Sequence, residues 1–446
     1  MSGAGNGVPR TTRWLAALAV ALTIVALVAG YVALWGEVLR YSPPTPAPLP
    51  AYASDAFMPW YGARAVMVGQ NPYTIAFQGA LQQVYYGADY TGAPAVESPA
   101  GFYYPAFVAL SLLPVLWLPF GMARWVIAAG LGMALAGGTA LWLALSAAAA
   151  SRWPRRQRWW PSLAAAGGAL LFAPSISLLL LQQLSGLVFF ELVLAHWAAA
   201  RHRFAVAGVL LALAAIKPQL AMIPMAELLF WALWRRERWP LLGSCAAALL
   251  AQCAFAAWRV PGWMGGFLAA AGRRHATIPE FWLPGMLAGG NAVLGWLLAG
   301  TLLGLLAFCW WRFRLEEAGS RAVLHAAALG FAVSLVVVPD VAHYNRVLLL
   351  PALVTLAVEG RGRSPLHRAT ARLAGLAVGT PVVLIGVVAW LRWLGFGAPY
   401  LRPLVFIADP AQVILPVLVL PALLTRCFER PLPAVRLSPA LLEHPR

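Results

Sequence analysis

The 446-residue chain is 61% hydrophobic and only 11% charged, which excludes an ordinary soluble protein and predicts an integral membrane protein. Its formal net charge is +17, but the basic residues stand in short loops between apolar runs. Such residues act as topology signals and lipid-headgroup contacts, so no nucleic-acid partner is expected. The spacing of the four cysteines predicts no extracytoplasmic disulfide framework.

The first apolar run, Trp14 to Trp35, is long enough to cross a hydrocarbon core of about 30 Å and predicts an uncleaved anchor. Arg10 and Arg13 precede it, whereas the loop that follows, 36–120, is acidic in its first part. The positive-inside rule therefore places the N-terminus in the cytoplasm and this first outer loop on the extracytoplasmic side of the plasma membrane.

Within the outer loop, a stripe of side chains predicts a short amphipathic helix directly after Asp55. Phe57, Trp60, Tyr61 and Arg64 share one face at helical spacing. Arg64 can snorkel to water while its stem covers apolar surface. The pattern is typical of an interfacial helix that lies on the outer leaflet.

The basic clusters further along the chain can all be cytoplasmic if segment 103–119, which three prolines interrupt, is re-entrant or interfacial instead of spanning. With the first run, this gives about twelve transmembrane helices in one membrane domain, 1–446, with a cytoplasmic tail at 426–446. Two of the spans are short and meet at Lys217-Pro218, which places Lys217 near the outer face. The predicted spans after the first lie near 121–149, 161–182, 184–200, 204–217, 219–234, 241–259, 288–310, 322–339, 343–358, 371–391 and 409–425.

This topology collects the unusual polar residues at the outer face. A carboxylate such as that of Asp55 with several cations nearby suits glycosyl transfer from a lipid-linked phosphosugar: a base takes the proton of an acceptor hydroxyl, and cations stabilise the leaving phosphate. The residues are Asp55, Arg64, Glu97, Gln182, Gln183, Lys217, Arg273, Arg274, His275, Asp340, His343, Asn345 and Arg346.

The sequence resembles a known family, glycosyltransferase family 87 of the membrane-embedded C-type (GT-C) fold, which includes mannosyltransferases. The resemblance rests on short strings in this order: Asp55 with Tyr61, Arg64, Gly69 and Asn71-Pro72-Tyr73; Tyr103-Tyr104-Pro105 with Leu113-Pro114 and Pro119; Gln183-Leu-Ser-Gly186; Ala207-Gly208 leading to Lys217-Pro218-Gln219; and Pro339-Asp340 with His343-Tyr344. The chain departs from the family at Pro105-Ala106 and Gln182-Gln183, which puts the subfamily and substrate in doubt more than the fold.

The resemblance implies an all-α polytopic GT-C fold and an inverting transfer in which Asp55 is the general base. The implied donor is a polyprenyl-phosphate sugar, with mannose or another hexose transferred to a hydroxyl of a glycolipid or polysaccharide acceptor. No cofactor or catalytic metal is expected. The residues predicted to bind the donor phosphate or substrate are Lys217, His343, Arg64, Tyr61, Gln183, Arg273 and Arg274.

Other interpretations of the same residues stay open at the level of sequence. Asp55 could only cap the following helix, and Lys217 could be a snorkelling lysine at the interface. His343 could be a satisfied interfacial histidine, with Asp340 orienting it, and Arg273 and Arg274 could simply face water. At the level of the whole chain, the alternatives are a polytopic transporter or lipid flippase and a non-catalytic subunit of an envelope assembly.

Overall fold

The computed structural model describes residues 54–86, 101–150, 159–277, 282–339, 342–359 and 415–425, and these residues form helices joined by short turns without any β-strand. The predicted all-α class is therefore confirmed for this part of the chain. The helices are α1 Phe57–Met67, α2 Ile75–Tyr86, α3 Val108–Leu116, α4 Phe120–Ala149, α5 Trp159–Leu171, α6 Ala173–Leu181, α7 Ser185–Ala200, α8 Phe204–Ala214, α9 Pro218–Leu233, α10 Trp239–Arg259, α11 Trp263–Thr277, α12 Leu283–Leu287, α13 Ala292–Phe313, α14 Arg321–Val337, α15 Leu350–Glu359 and α16 Leu415–Thr425, with 3₁₀ helices at Arg236–Arg238 and His343–Leu349.

Three helical segments are each long and apolar enough to cross a membrane. They are α4, the segment Arg236–Arg259 that a 3₁₀ helix and α10 form together, and α13. The bent pair α5 and α6 adds a fourth span if it is counted as one. The chain is therefore membrane-associated, and the total of about twelve spans stays a prediction. The spans predicted at 14–35 and 371–391, together with Glu97 and Asp340, lie outside the described residues.

The structure differs from the sequence prediction where prolines or short turns alter a helix. The predicted span 161–182 is divided into α5 and α6, whose axes differ by 63°. Pro174 lies in the first turn of α6, where a missing N–H is tolerated, but its ring would clash with a continuous helix from α5. The span predicted from residue 343 begins as a 3₁₀ helix, and α11 occupies a segment that was predicted only as an outer loop.

The proline-rich segment 103–119 contains a single helix of nine residues, α3. At 1.5 Å per residue this helix is about 13 Å long, which is too short to cross a hydrocarbon core of about 30 Å. Its length agrees with the prediction that the segment does not span.

The aromatic stripe of α1 packs against protein. The Phe57 and Trp60 rings are buried, with centroids 5.0 Å and 5.3 Å from that of Phe120 at the start of α4. The indole N–H of Trp60 donates to the carbonyl of Val115 at 3.3 Å. These contacts fix α1 beside α3 and α4, and its location at the outer interface stays a prediction.

Polar contacts join the helices at two opposite ends of the bundle. At one end, Arg238 donates to the carbonyls of Arg314 at 2.7 Å and Glu316 at 2.9 Å, which ties the α9–α10 turn to the α13–α14 turn. At the other end, Arg259 donates to the carbonyl of Val66 at 3.3 Å, which ties α10 to α1. The second end is the one at which Asp55 and Lys217 meet.

Candidate functional site

Asp55 is held at the corner between α6 and α7. Its backbone N–H donates to the carbonyl of Leu181 at 2.9 Å, and the hydroxyl of Ser54 donates to Oε1 of Gln182. Gln182 ends α6 in the left-handed conformation, with φ 56° and ψ 45°. This turn ends α6, and the side chains of Gln182 and Gln183 contact Ser54 and Asp55, which are distant in sequence.

Gln183 connects the carboxylate of Asp55 to the ammonium of Lys217. Its Nε2 donates to Oδ2 of Asp55 at 2.5 Å, and its Oε1 accepts from Nζ of Lys217 at 2.7 Å. Since an ammonium can only donate and an ionised carboxylate can only accept, the two ends of the amide fit these partners in one orientation. The structure thus brings together three of the predicted site residues.

Lys217 reaches this position through the break between α8 and α9. The side chain is buried, and its Nζ also donates to Oγ of Ser185 at 3.0 Å. The ammonium lies 5.6 Å from the ring centroid of Tyr104 and 5.3 Å from that of Tyr344, distances at which an aromatic face attracts a cation. A buried and hydrogen-bonded ammonium does not snorkel to water, so that alternative for Lys217 is wrong.

The environment of Asp55 shifts its pKa in two directions. Burial raises the pKa above its ordinary value, and this effect is larger than the lowering by the Gln183 hydrogen bond and by the positive charges of Lys217 and Arg274. A carboxylate with a raised pKa is a stronger base than a solvated one. The N-cap residue of α1 is Ala56, and no side chain caps that helix, so the capping alternative for Asp55 is not supported.

Arg273 and Arg274 approach the site from the last turns of α11. Nη2 of Arg273 donates to the carbonyl of Tyr73 at 3.3 Å, and the guanidinium of Arg274 lies 5.2 Å from the ring centroid of Tyr103. Of these two arginines, only Arg274 is among the charges that lower the pKa of Asp55. The two neighbouring arginines therefore make different contacts, one with the backbone and one near the carboxylate.

The remaining predicted residues lie around this group. His343 begins the 3₁₀ helix, and its ring is 5.6 Å from that of Tyr344, which faces Lys217. Tyr61 stacks on Phe57 with a centroid distance of 5.5 Å. Arg64 is exposed and lies over the Trp60 ring at 4.8 Å, and the structure shows no contact between it and the Asp55–Lys217 group among the described residues.

The sequence reasoning gave no separate role to Ser185, Tyr104 or Tyr344, although all three contact the ammonium of Lys217. All three stand inside strings that supported the family resemblance. No hydropathy or charge signal distinguishes a neutral serine or tyrosine at a site from one in a core. Only the three-dimensional contacts identify them.

Comparison with known proteins gives one match. The model of glycosyltransferase family 87 matches residues 102–339, just over half of the chain, which confirms the resemblance drawn from the sequence. The matched range includes Gln183, Lys217 and Arg274, and it begins after Asp55 and ends before His343. No curated protein and no solved structure is similar enough to match the chain.

Proposed function

Since the chain belongs to glycosyltransferase family 87, we propose that it is an inverting enzyme that transfers a sugar from a polyprenyl-phosphate donor to an acceptor hydroxyl. The sugar is mannose or another hexose, and the acceptor is a glycolipid or a polysaccharide at the extracytoplasmic face of the plasma membrane. One membrane-embedded domain carries the reaction. The family match gives no support to the transporter or flippase alternative.

The observation that supports this mechanism is the chain of hydrogen bonds from Asp55 through Gln183 to Lys217. It sets a base and a cation on either side of one neutral amide, so the two groups are close without forming a direct ion pair. A transfer between a hydroxyl and a phosphosugar needs such a pair, because a proton leaves one reactant while negative charge grows on the other.

In the proposed step, Asp55 accepts the proton of the acceptor hydroxyl as the oxygen forms a bond to the anomeric carbon of the sugar. The bond between that carbon and the phosphate oxygen breaks, and its electron pair stays on the polyprenyl phosphate. Lys217 and Arg274 stabilise the added negative charge. Because the hydroxyl attacks from the side opposite the leaving phosphate, the configuration at the anomeric carbon inverts.

The test is transfer by the purified full-length protein in proteoliposomes, with radiolabelled polyprenyl-phosphate mannose as donor and an envelope glycolipid extract as acceptor. Asp55→Asn keeps the shape of the side chain and can still accept the Gln183 hydrogen bond, but it removes the base. We expect the rate to fall by about 10² to 10⁴, as is usual when a general base is lost.

Glu237→Gln is the matched control, because it also replaces a carboxylate by an amide, in a side chain that is 60% exposed beside Arg235 at the opposite end of the bundle. This variant should retain wild-type activity. Asp55→Asn with more than half of the wild-type rate would contradict the role of Asp55. Equal transfer from a nucleotide-activated mannose would contradict the donor class.

A further inference from the structure

A second set of hydrogen bonds extends from Lys217 away from Asp55. Oγ of Ser185, at the start of α7, accepts from Nζ of Lys217 at 3.0 Å and donates to Oδ1 of Asn345 at 2.6 Å. Ser185 and Asn345 are 0% and 1% exposed, so neither side chain can exchange these bonds for bonds to bulk water. The set joins α7, the start of α9 and the 3₁₀ helix at His343–Leu349.

The chemistry of the groups fixes the direction of these bonds. The ammonium of Lys217 has only donors, so the hydroxyl of Ser185 must accept from it. The single hydroxyl proton of Ser185 is then directed to the carbonyl oxygen of Asn345. Asn345 therefore determines the rotation of the Ser185 hydroxyl, and that hydroxyl presents its lone pairs to the ammonium.

This arrangement restrains a side chain that is otherwise flexible. Lysine has a four-carbon stem, and its charge when buried is stabilised only where polar partners surround it. Gln183, which also binds Asp55, accepts one hydrogen bond from the ammonium, and Ser185, which binds Asn345, accepts another. Without the second hydrogen bond, the ammonium would be drawn toward the carboxylate, and the two charges would neutralise each other as an ion pair.

We propose that Ser185 and Asn345 are positioning residues, which hold the ammonium of Lys217 at the place of the donor's phosphate and away from Asp55. This inference rests on the proposed function, since it assigns the phosphate to Lys217. Neither residue touches the reacting atoms. Their effect is expressed through the affinity of the site for a lipid phosphate.

The experiment measures binding of polyprenyl monophosphate to the full-length protein in nanodiscs, together with kcat and the KM for the sugar donor. Ser185→Ala and Asn345→Ala should each weaken phosphate binding and raise the donor KM by about tenfold, the usual effect of losing one hydrogen bond to a charged group. The kcat should change less than the KM, because Asp55 and Gln183 keep their contact.

The second variant is Asn345→Asp, because the aspartate side chain has nearly the same size as that of asparagine. It keeps an acceptor for the Ser185 hydroxyl, but its negative charge competes with the phosphate for the ammonium, so the donor KM should rise more than in Asn345→Ala. Ser146→Ala is the matched control. It removes a hydroxyl that is also buried, in α4, and that hydroxyl has no hydrogen-bond partner among the described residues.

The outcomes distinguish the two proposals. Wild-type protein that does not bind polyprenyl phosphate would contradict the proposed donor, and the positioning role with it. Wild-type binding that is unchanged in Ser185→Ala and Asn345→Asp would overturn the positioning role alone. Weaker binding that is matched in every variant by an equal loss of thermal stability would assign the two residues a structural role and would also overturn the inference.

Discussion

Arg273 and Arg274 are adjacent residues of α11, but their side chains make different contacts. Arg273 is directed to the carbonyl of Tyr73, whereas Arg274 lies beside Tyr103 and its charge acts on Asp55. Successive residues on an α-helix point about 100° apart, so neighbours in sequence face different surroundings. Arg273 therefore makes a backbone contact, while the charge of Arg274 acts on Asp55.

Arg274→Gln should shift the pH dependence of transfer. The positive charge of Arg274 lowers the pKa of Asp55, so its removal raises that pKa further. The base must be ionised, so activity is lost as the pH falls through the pKa of Asp55, and the acidic limb of the kcat/KM profile should move to higher pH. Profiles of the purified wild-type and variant proteins from weakly acidic to neutral pH give the measurement.

Arg273→Gln is the neighbouring control for this prediction. It removes one positive charge from the same turn, but Arg273 is not among the charges that lower the pKa of Asp55. Its acidic limb should stay close to that of the wild type. An acidic limb that moves equally in both variants would show that the effect belongs to the net charge of α11 and not to Arg274.

Sequence reasoning singled out the charged residues that lie together in the structure, but it did not predict the contacts between them. Asp55 and Lys217 stand out because charges are rare in apolar sequence and cost free energy there. The bridge through Gln183 depends on the left-handed turn at Gln182, and no pattern in the sequence predicts that turn at a glutamine. Arg64 shows a different limit of the sequence prediction. It lies on a helix with the aromatic residues of the stripe, as predicted, but its side chain is exposed.

At the scale of elements, α8, which leads to Lys217, packs closely on α10. Gly208 of α8 lies directly against the backbone of α10, where an added Cβ would overlap the carbonyl oxygen of Leu241 and Oγ of Ser244, and would lie 2.8 Å from the amide nitrogen of Cys245. Small residues allow two apolar helices to approach so closely, and backbone atoms cannot move aside as a side chain can.

Gly208→Ala should therefore destabilise the protein although alanine favours helices. Overpacking of a close helix contact costs about 1–3 kcal/mol, which exceeds the gain of about 1 kcal/mol in helix propensity. Gly243→Ala is the matched control on the facing helix, because nothing lies within 4 Å of its added Cβ. The thermal midpoint in detergent should fall for Gly208→Ala and stay level or rise for Gly243→Ala, and the reverse order would contradict this account of the contact.

Two features at prolines were predicted correctly from the sequence. The break between α8 and α9 falls at Lys217-Pro218 as expected, and α3 has the short length that three prolines in its segment imply. The division of α5 from α6 was missed because Pro174 lies in a continuous apolar run, and apolarity alone does not show whether a run bends. The same limit applies to the 3₁₀ start of the helix at His343.

At the scale of the whole molecule, α9 joins the two polar ends of the bundle. Lys217 begins α9 at the end that holds Asp55, and the helix leads to Arg236 and Arg238, which lie at the other end with the turn after α13. A 16-residue helix is about 24 Å long, so the two termini of α9 lie about that far apart.

Cysteine labelling tests this arrangement against the membrane. On a background without the four native cysteines, Gly272→Cys in α11 and Gln70→Cys after α1 should react with a membrane-impermeant thiol reagent in intact cells. Glu237→Cys should react only after the membrane is opened, because its 3₁₀ helix lies at the proposed cytoplasmic end. Labelling of Glu237→Cys from outside, with protection of Gly272→Cys, would invert the topology and place the proposed reaction in the cytoplasm.

The pairing of one buried carboxylate with two cations, Lys217 and Arg274, has a consequence for electroneutrality. Before the proposed reaction, a phosphodiester donor carries one negative charge, which together with ionised Asp55 balances the two cations. Afterwards Asp55 holds a proton, and the released phosphate monoester carries a charge approaching −2. The total charge of the group is nearly zero in both states, so the reaction only moves charge from the base to the phosphate. An enclosed site of low polarity can accommodate such a displacement without the large solvation penalty of a net charge.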